Sequence, residues 1–224
     1  DYAALAADAA APLLDRTAQG LYAPGSAFKP AVAAAALTAG IDPAATVNCT
    51  GRYGFYNGYQ PGCLQYGHSG PVDLRTALEH SCNIFFYDVG RRLGVDTFSA
   101  MAQQLGLAAP TGVEVAEARG RLTWSSDGNY QAGLTLMAAI GQGNTAVTPL
   151  QLAAYAATLA NYGQRPALHY ADRAVSAATG ETLWQYTPTF TAVPGGEAVF
   201  GPIRDGMKRM AQTTRVLREA PVVC

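Results

Sequence analysis

The sequence predicts an α+β chain that is mainly helical, with only short strands, and three observations carry that reading. Six segments repeat their apolar residues at helical spacing. Two short runs flank Ala178-Thr179-Gly180-Glu181 in the pattern of a hairpin, between His169 and Tyr186. Between the periodic segments lie turn-rich connections, of which Gly112 to Tyr130, punctuated by Gly, Ser and Asp, reads as irregular. With 224 residues, 49% hydrophobic and 14% charged, the chain can bury a sizeable core as one domain, 1–224, with room for two lobes.

The helical runs follow in order. Ala27 to Thr38 is alanine-rich and carries no charge from Ala31 to Gly40, the composition of a helix buried on every side. Val72 to Glu79, Cys82 to Leu93 and Thr97 to Leu105 come next; Gly94 and Gly106 end the last two. Thr148-Pro149 opens Pro149 to Tyr162, which stops at Gly163, and Ile203 to Leu217 closes the series.

Chemistry enters where Tyr22-Ala23-Pro24-Gly25-Ser26-Ala27-Phe28-Lys29 leads into the first of these helices. Pro24-Gly25 makes a sharp entry, and residues three apart on a helix are surface neighbours. Ser26 is thereby offered as a nucleophile with Lys29 as its base. The serine needs that help, because an amine can take its proton only when neutral, and burial is one way to keep a lysine neutral near pH 7. Unpaired N–H groups at a helix start can also face a developing oxyanion. The bland alternative is an N-cap serine with an exposed lysine one turn later.

A second element, Ser81-Cys82-Asn83, lies between two helical runs. Ser81 could relay a proton while the Asn83 amide holds a substrate amide; the competing reading makes Ser81 the cap of the following helix.

With these elements in place, Pro12 to Gly163 resembles the transpeptidase domain of a penicillin-binding protein, of the class B, monofunctional type. The resemblance rests on Pro12-Leu13-Leu14-Asp15-Arg16 leading to the Ser26 segment, then Cys49-Thr50-Gly51 and Gly67-His68-Ser69-Gly70-Pro71-Val72-Asp73-Leu74. His80-Ser81-Cys82-Asn83-Ile84-Phe85-Phe86-Tyr87 and Ile140-Gly141-Gln142-Gly143-Asn144-Thr145-Ala146-Val147-Thr148-Pro149-Leu150-Gln151-Leu152-Ala153 complete it. Ser-x-x-Lys with Ser-x-Asn and Lys-Thr-Gly is the motif set of the penicillin-recognising serine enzymes. Lys-Thr-Gly occurs nowhere in this sequence. The expected fold is therefore the helical portion of the β-lactamase-like transpeptidase fold with most of its central sheet missing, and the chain is expected to be a truncated piece of the domain.

The resemblance implies a D,D-transpeptidase acting on peptidoglycan stem peptides ending in D-Ala-D-Ala, through an acyl-enzyme on Ser26, and acylated by β-lactams. It gives Lys29 the role of base, Ser81 that of proton relay and Asn83 that of substrate binding. The implied setting is the extracytoplasmic face of the bacterial cytoplasmic membrane, with the anchor outside this chain and with cell-wall synthesis proteins as partners of the full-length enzyme. Without a Lys-Thr-Gly strand the chain alone is expected to be poorly active, and its uncovered apolar faces are expected to drive self-association. The rival readings are a β-lactamase or D,D-carboxypeptidase of the same superfamily and a non-catalytic helical interaction module.

Other features exclude more than they suggest. Fifteen basic against sixteen acidic residues give a net charge of −1, which argues against a nucleic-acid partner. Cys49, Cys63, Cys82 and Cys224 form no C-x-x-C pair and no zinc spacing, so neither metal nor cofactor is expected. Cys82 reads as a small apolar residue packed inward, and Cys49 and Cys63 flank a Gly- and Tyr-rich loop that a disulfide could close outside the cytoplasm. His68 and His80 read as loop or helix-end histidines. Gly141-Gln142-Gly143 lacks the ending of a phosphate loop and reads as a turn for close packing. Glu114 and Glu117 read as solvated charge.

Overall fold

A computed structural model of the chain describes residues 1–64 and 68–213. Two short helices, α1 (Tyr2–Ala7) and α2 (Arg16–Gln19), precede a 3₁₀ turn at Gly25–Phe28 that runs straight into α3 (Lys29–Thr38). Strands β1 (Val47–Cys49) and β2 (Gly70–Val72) bracket a long loop. Helices α4 (Leu74–Glu79), α5 (Asn83–Leu93), α6 (Val95–Gln104), α7 (Ala132–Ala139) and α8 (Pro149–Ala160) follow. Strands β3 (Gln164–Pro166), β4 (Arg173–Val175), β5 (Thr182–Gln185) and β6 (Phe190–Ala192) lead to α9 (Gly196–Thr213).

The expected balance of helix and strand is what the chain adopts. Among the described residues the strands form three separate two-stranded antiparallel sheets, β1 with β2, β3 with β6 and β4 with β5, and no larger sheet. The hairpin expected around Gly180 is the β4–β5 pair, with Arg173 opposite Gln185 and a register shift at Ala174/Val175. Residues between Gly112 and Tyr130 contain only an isolated bridge, Arg121 to Ala146.

Helix α3 is the centre. Every residue from Lys29 to Ala36 is buried, and α5, α6 and α9 all pack against it. Alanine explains the density, since a methyl group lets neighbouring helices approach closely and leaves little side-chain entropy to lose. Phe28, at the junction of the 3₁₀ turn and α3, fills the gap towards α6 with its ring edge-on to Phe98 at a centroid distance of 6.3 Å. Gly90 serves the α5–α7 contact, where a Cβ would stand 2.6 Å from that of Ala139.

Local signals define most helix ends. The Asp73 side chain accepts the Thr76 N–H at the start of α4. At α8, Thr148 and Gln151 form a reciprocal capping box around Pro149. Several boundaries differ from expectation, and α1, α2 and α7 fall outside the six expected helical runs. Val72 belongs to β2 rather than to a helix, and α9 begins at Gly196, seven residues before Ile203; its expected end at Leu217 lies outside the described residues. Ser26 sits in the 3₁₀ turn, one turn ahead of the regular α-helix. Gly25 precedes it with φ +56°, a left-handed value that prevents a longer α-helix from running through the Pro24-Gly25 entry.

Candidate active site

The turn carrying Ser26 is held from behind by the loop after α7. Gly25 N–H donates to Gly141 O at 2.9 Å, and the adjacent Tyr22 and Val147 exchange backbone hydrogen bonds of 3.0 and 2.9 Å. Gly141 itself has φ +70°, and a Cβ there would lie 2.3 Å from Gly25 O and 2.7 Å from Phe28 Cβ. The close packing expected of this glycine turn is therefore packing against the Ser26 turn.

Ser81 occupies the tight link between α4 and α5 with φ +53°, a left-handed conformation that costs a non-glycine residue roughly 1–2 kcal/mol. It does not cap α5: Cys82 is the N-cap residue, and no side chain caps that helix start. The Ser81 side chain is turned instead towards Lys29. Lys29 is 1% exposed, and its Nζ lies 2.7 Å from Ser81 O, 2.9 Å from Ser81 Oγ and 2.7 Å from Asn83 Oδ1. No hydrogen bond among the described residues joins Lys29 to Ser26. The amine expected to rest on the Ser26 hydroxyl is shared between Ser81 and Asn83.

Burial holds the Lys29 ammonium down to about 8, against a smaller opposing effect from Cys63 and Cys82. The neighbours suit both charge states. Ser81 O and Asn83 Oδ1 can only accept, whereas the Ser81 hydroxyl can accept from an ammonium or donate to a neutral amine. A change of protonation at Lys29 thus needs only a rotation of one hydroxyl hydrogen.

Ser26, Ser81, Asn83, His80, Cys63 and Gln142 all line one cleft of about 360 Å³. Ser26, Ser81 and Asn83 therefore share this cleft, and the Lys29 amine is bonded to the last two. His80 adds a wall, its ring stacked on that of His68 with centroids 5.5 Å apart.

The loop between β1 and β2 also lines the cleft, through Cys63 and Leu64. Tyr53 O–H donates to Asp88 Oδ1 at 3.0 Å and accepts from Arg91 Nε at 2.8 Å, which fastens the loop to α5. Further along, Asn83 Nδ2 donates to Gly62 O at 3.1 Å and Asn83 N–H points at Cys63 Sγ at 3.4 Å. Behind this contact four side chains converge that no motif connected: the donor atoms of Cys49, Cys63, His68 and Cys82 all lie within 4.8 Å of one another. They are the residues that could hold a metal ion, contrary to the expectation of none. Cys82 is indeed packed inward, and its thiol is pushed up by burial above all. Their long, unequal spacing hid the cluster; the pairing of β1 with β2, Cys49 opposite Gly70, and the fastening of the intervening loop to α5 bring it together. Cys224 lies outside the described residues.

The two glutamates are structural. Glu117 accepts from Thr111 N–H, Thr111 Oγ1 and Gly112 N–H at 2.7–2.9 Å, and these bonds draw its carboxyl below the usual range despite an opposing burial effect. Glu114 accepts from Tyr170 N–H at 2.9 Å and Ala171 N–H at 3.4 Å, tying the hairpin region to this loop. Neither is merely solvated charge.

A hydroxyl at a helical turn, with a desolvated amine held behind a second serine and an amide beside it, is the arrangement of the penicillin-recognising serine enzymes. The chain belongs to the penicillin-binding protein transpeptidase domain family, whose pattern matches residues 2–216. It is 31% identical over 228 residues to peptidoglycan D,D-transpeptidase MrdA of Salmonella typhimurium, covering 94% of this chain and 35% of that protein. Its fold matches penicillin-binding protein A of M. tuberculosis in an imipenem acyl-enzyme complex, with a TM-score of 0.84 and 26% identity over 99% of this chain and 51% of that one. It also matches a chain from a structure describing coordination of polymerization and crosslinking by a peptidoglycan synthase complex, with a TM-score of 0.80, 32% identity, and coverage of 95% and 36%. The chain thus spans about a third of the length of MrdA. No helix among the described residues is long and apolar enough to cross a membrane.

Proposed function

We propose that this chain is the part of a peptidoglycan D,D-transpeptidase that carries the nucleophile and the proton-transfer groups. The observation that carries the reading is the buried Lys29 amine shared by Ser81 Oγ and Asn83 Oδ1, two residues that line the same cleft as Ser26. Ser26 Oγ attacks the carbonyl of a D-Ala-D-Ala bond while its proton passes to the neutral Lys29 amine. Ser81 hands a proton to the departing D-alanine amine, and an amine of a second stem peptide resolves the acyl-enzyme into a cross-link. Asn83 presents its amide to the substrate backbone.

Similarity to a D,D-transpeptidase supports this reading over a β-lactamase or D,D-carboxypeptidase, and similarity to a protein seen as an imipenem acyl-enzyme makes β-lactams the expected inhibitors. Cell-wall synthesis proteins are the expected partners, consistent with the synthase-complex likeness. The protein then works on the extracytoplasmic face of the membrane. A Lys-Thr-Gly strand, absent from this sequence, supplies the substrate carboxylate site and one oxyanion donor in the family, a contact worth about 10²–10³ in rate.

Mass spectrometry after incubation with penicillin tests the proposal. The expected adduct maps to Ser26, forms slowly in this chain and faster in one extended through Lys-Thr-Gly, and disappears in Ser26→Ala. An adduct on another residue, or none in the extended protein, overturns it and favours a non-catalytic module.

A further inference from the structure

A second groove, of about 440 Å³ and of the size that holds small ligands, is built from the same two segments as the active-site cleft. The loop between β1 and β2 supplies Tyr56 and Tyr59 here and Cys63 in the cleft. Helix α7 supplies Gln131, Leu134 and Met137 here, and Ile140 at its end lines the cleft. At the ordinary helical rise, Met137 stands about 4.5 Å and Gln131 about 13.5 Å along the axis from Ile140. The groove therefore leads away from the cleft along α7.

Its chemistry is specific. Tyr56 and Tyr59 oppose each other in an isolated antiparallel bridge, closed by Gly58 at φ +80° and by a 3.4 Å hydrogen bond from Tyr59 N–H to Tyr56 O. Opposed residues of such a bridge put their side chains on one face. Tyr59 is then pinned over α7: its O–H donates to Met137 Sδ at 3.1 Å, and a Cβ on Gly133 would touch its ring at 3.7 Å. The side chain stays 39% exposed, so an aromatic surface is fixed in place and left open to a ligand. Gln131 heads α7 without capping it, so no helix-end bond commits its amide. Among the described residues that line the groove, none is charged.

That combination disfavours the ionised groups of a stem peptide, which would leave water and find no counter-charge. It suits a pyranose, whose C–H face is apolar and whose hydroxyl and acetamide groups stand around the edge, ready for phenol and amide partners. The span agrees. In a stem pentapeptide four residues separate the sugar from the bond that is broken, an extended reach of roughly 13–14 Å. We propose that this groove is a saccharide subsite, which seats an N-acetylated amino sugar of the glycan strand while the stem peptide attached to it reaches Ser26. A seated sugar makes the arrival of its own peptide an intramolecular event, which lowers the substrate concentration needed. The role in cross-linking rests on the transpeptidase reading above, whereas binding of the sugar does not.

The test reads binding without acylation. Chitobiose, the disaccharide of N-acetylglucosamine, is titrated into the chain carrying isotope-labelled methionine methyl groups. The expected result is a saturable shift of the Met137 signal, with those of Met101 and Met207 unmoved. Tyr59→Leu should weaken binding roughly tenfold or more, whereas Tyr59→Phe keeps the ring and should retain it. Cellobiose, which lacks the acetamide groups, should bind roughly tenfold more weakly. Circular dichroism checks that each variant is folded; if Tyr59→Leu unfolds, Gln131→Ala, at an exposed helix start, replaces it with weaker binding again expected. No Met137 shift with chitobiose, or undiminished binding by the variant, overturns the subsite. Equal affinity for cellobiose overturns the amino-sugar assignment, and a shift caused by a neutral aromatic amino-acid amide but not by chitobiose assigns the groove to a protein segment instead. Penicillin labelling of Ser26 is read separately: saccharide binding without an adduct upholds the subsite and defeats the transpeptidase reading, and an adduct without saccharide binding does the reverse.

Discussion

Lys29 Nζ lies 2.9 Å from Ser81 Oγ, joining two residues 52 positions apart in the chain. The bond ties the helix that follows Ser26 to a left-handed serine whose conformation is costly by itself, and it gives that cost a use: a relaxed Ser81 would turn both its carbonyl and hydroxyl away from the amine.

The amine should report itself in a pH profile. With Lys29 held to about 8, acylation by penicillin should rise with pH through about 8 and level off above it, because only the neutral amine accepts the Ser26 proton. A rate that falls across this window would assign the base elsewhere.

Stability should move with the same group. Lys29 titrates near 10.5 when unfolded and about 8 when folded, so the unfolded chain binds more protons between those values and Lys29's contribution to stability rises with pH there. Below about 8 the burial penalty is fully present, on the order of 3 kcal/mol. Urea unfolding of the wild type and Lys29→Met at pH 7 and pH 10 should show the wild type gaining relative to the variant as pH rises, by that order.

Removing the base should slow acylation without moving its position. Lys29→Ala should lose about 10²–10⁴ in acylation rate, and Lys29→Arg should do no better because guanidinium stays protonated. Stopped-flow measurement with a fluorescent penicillin gives the rate, and peptide mapping should still place the residual adduct on Ser26.

Gly141→Ala should displace the Ser26 turn. The added methyl meets Gly25 O at 2.3 Å and adopts an unfavourable positive φ, a combined cost of about 2–4 kcal/mol. Gly112→Ala, with φ +90° but nothing within 4 Å, should cost roughly 1–2 kcal/mol and leave acylation unchanged. Thermal unfolding alongside penicillin labelling separates the two.

Gln151→Leu should loosen the loop from Ala108 to Arg119. The buried Gln151 amide accepts from Ala108 N–H and Thr148 N–H and donates to the carbonyls of Ala109, Ala118 and Arg119. Orphaning several of these groups should cost about 3 kcal/mol or more. Urea unfolding measures the loss, and faster amide exchange at Ala108 locates it.

Local signals in the sequence determined six helical runs, the Thr148-Pro149 start, the Pro24-Gly25 entry and the two motif segments, because turn entry and helical spacing depend on near neighbours, while α1, α2 and α7 carried no such signal. They also placed the hairpin at Gly180. Tertiary structure decided where side chains from distant segments meet. Lys29 could reach Ser26 by local spacing, yet α5 packs against α3 and brings Ser81 and Asn83 to its amine instead. Glu117 gained the amides of its own loop as partners, and four separated Cys and His residues gained one another through the β1–β2 pairing and the fastening of the intervening loop to α5. Such meetings depend on which helix faces bury each other, and a hydrophobic pattern tells which face turns inward without telling what it will touch.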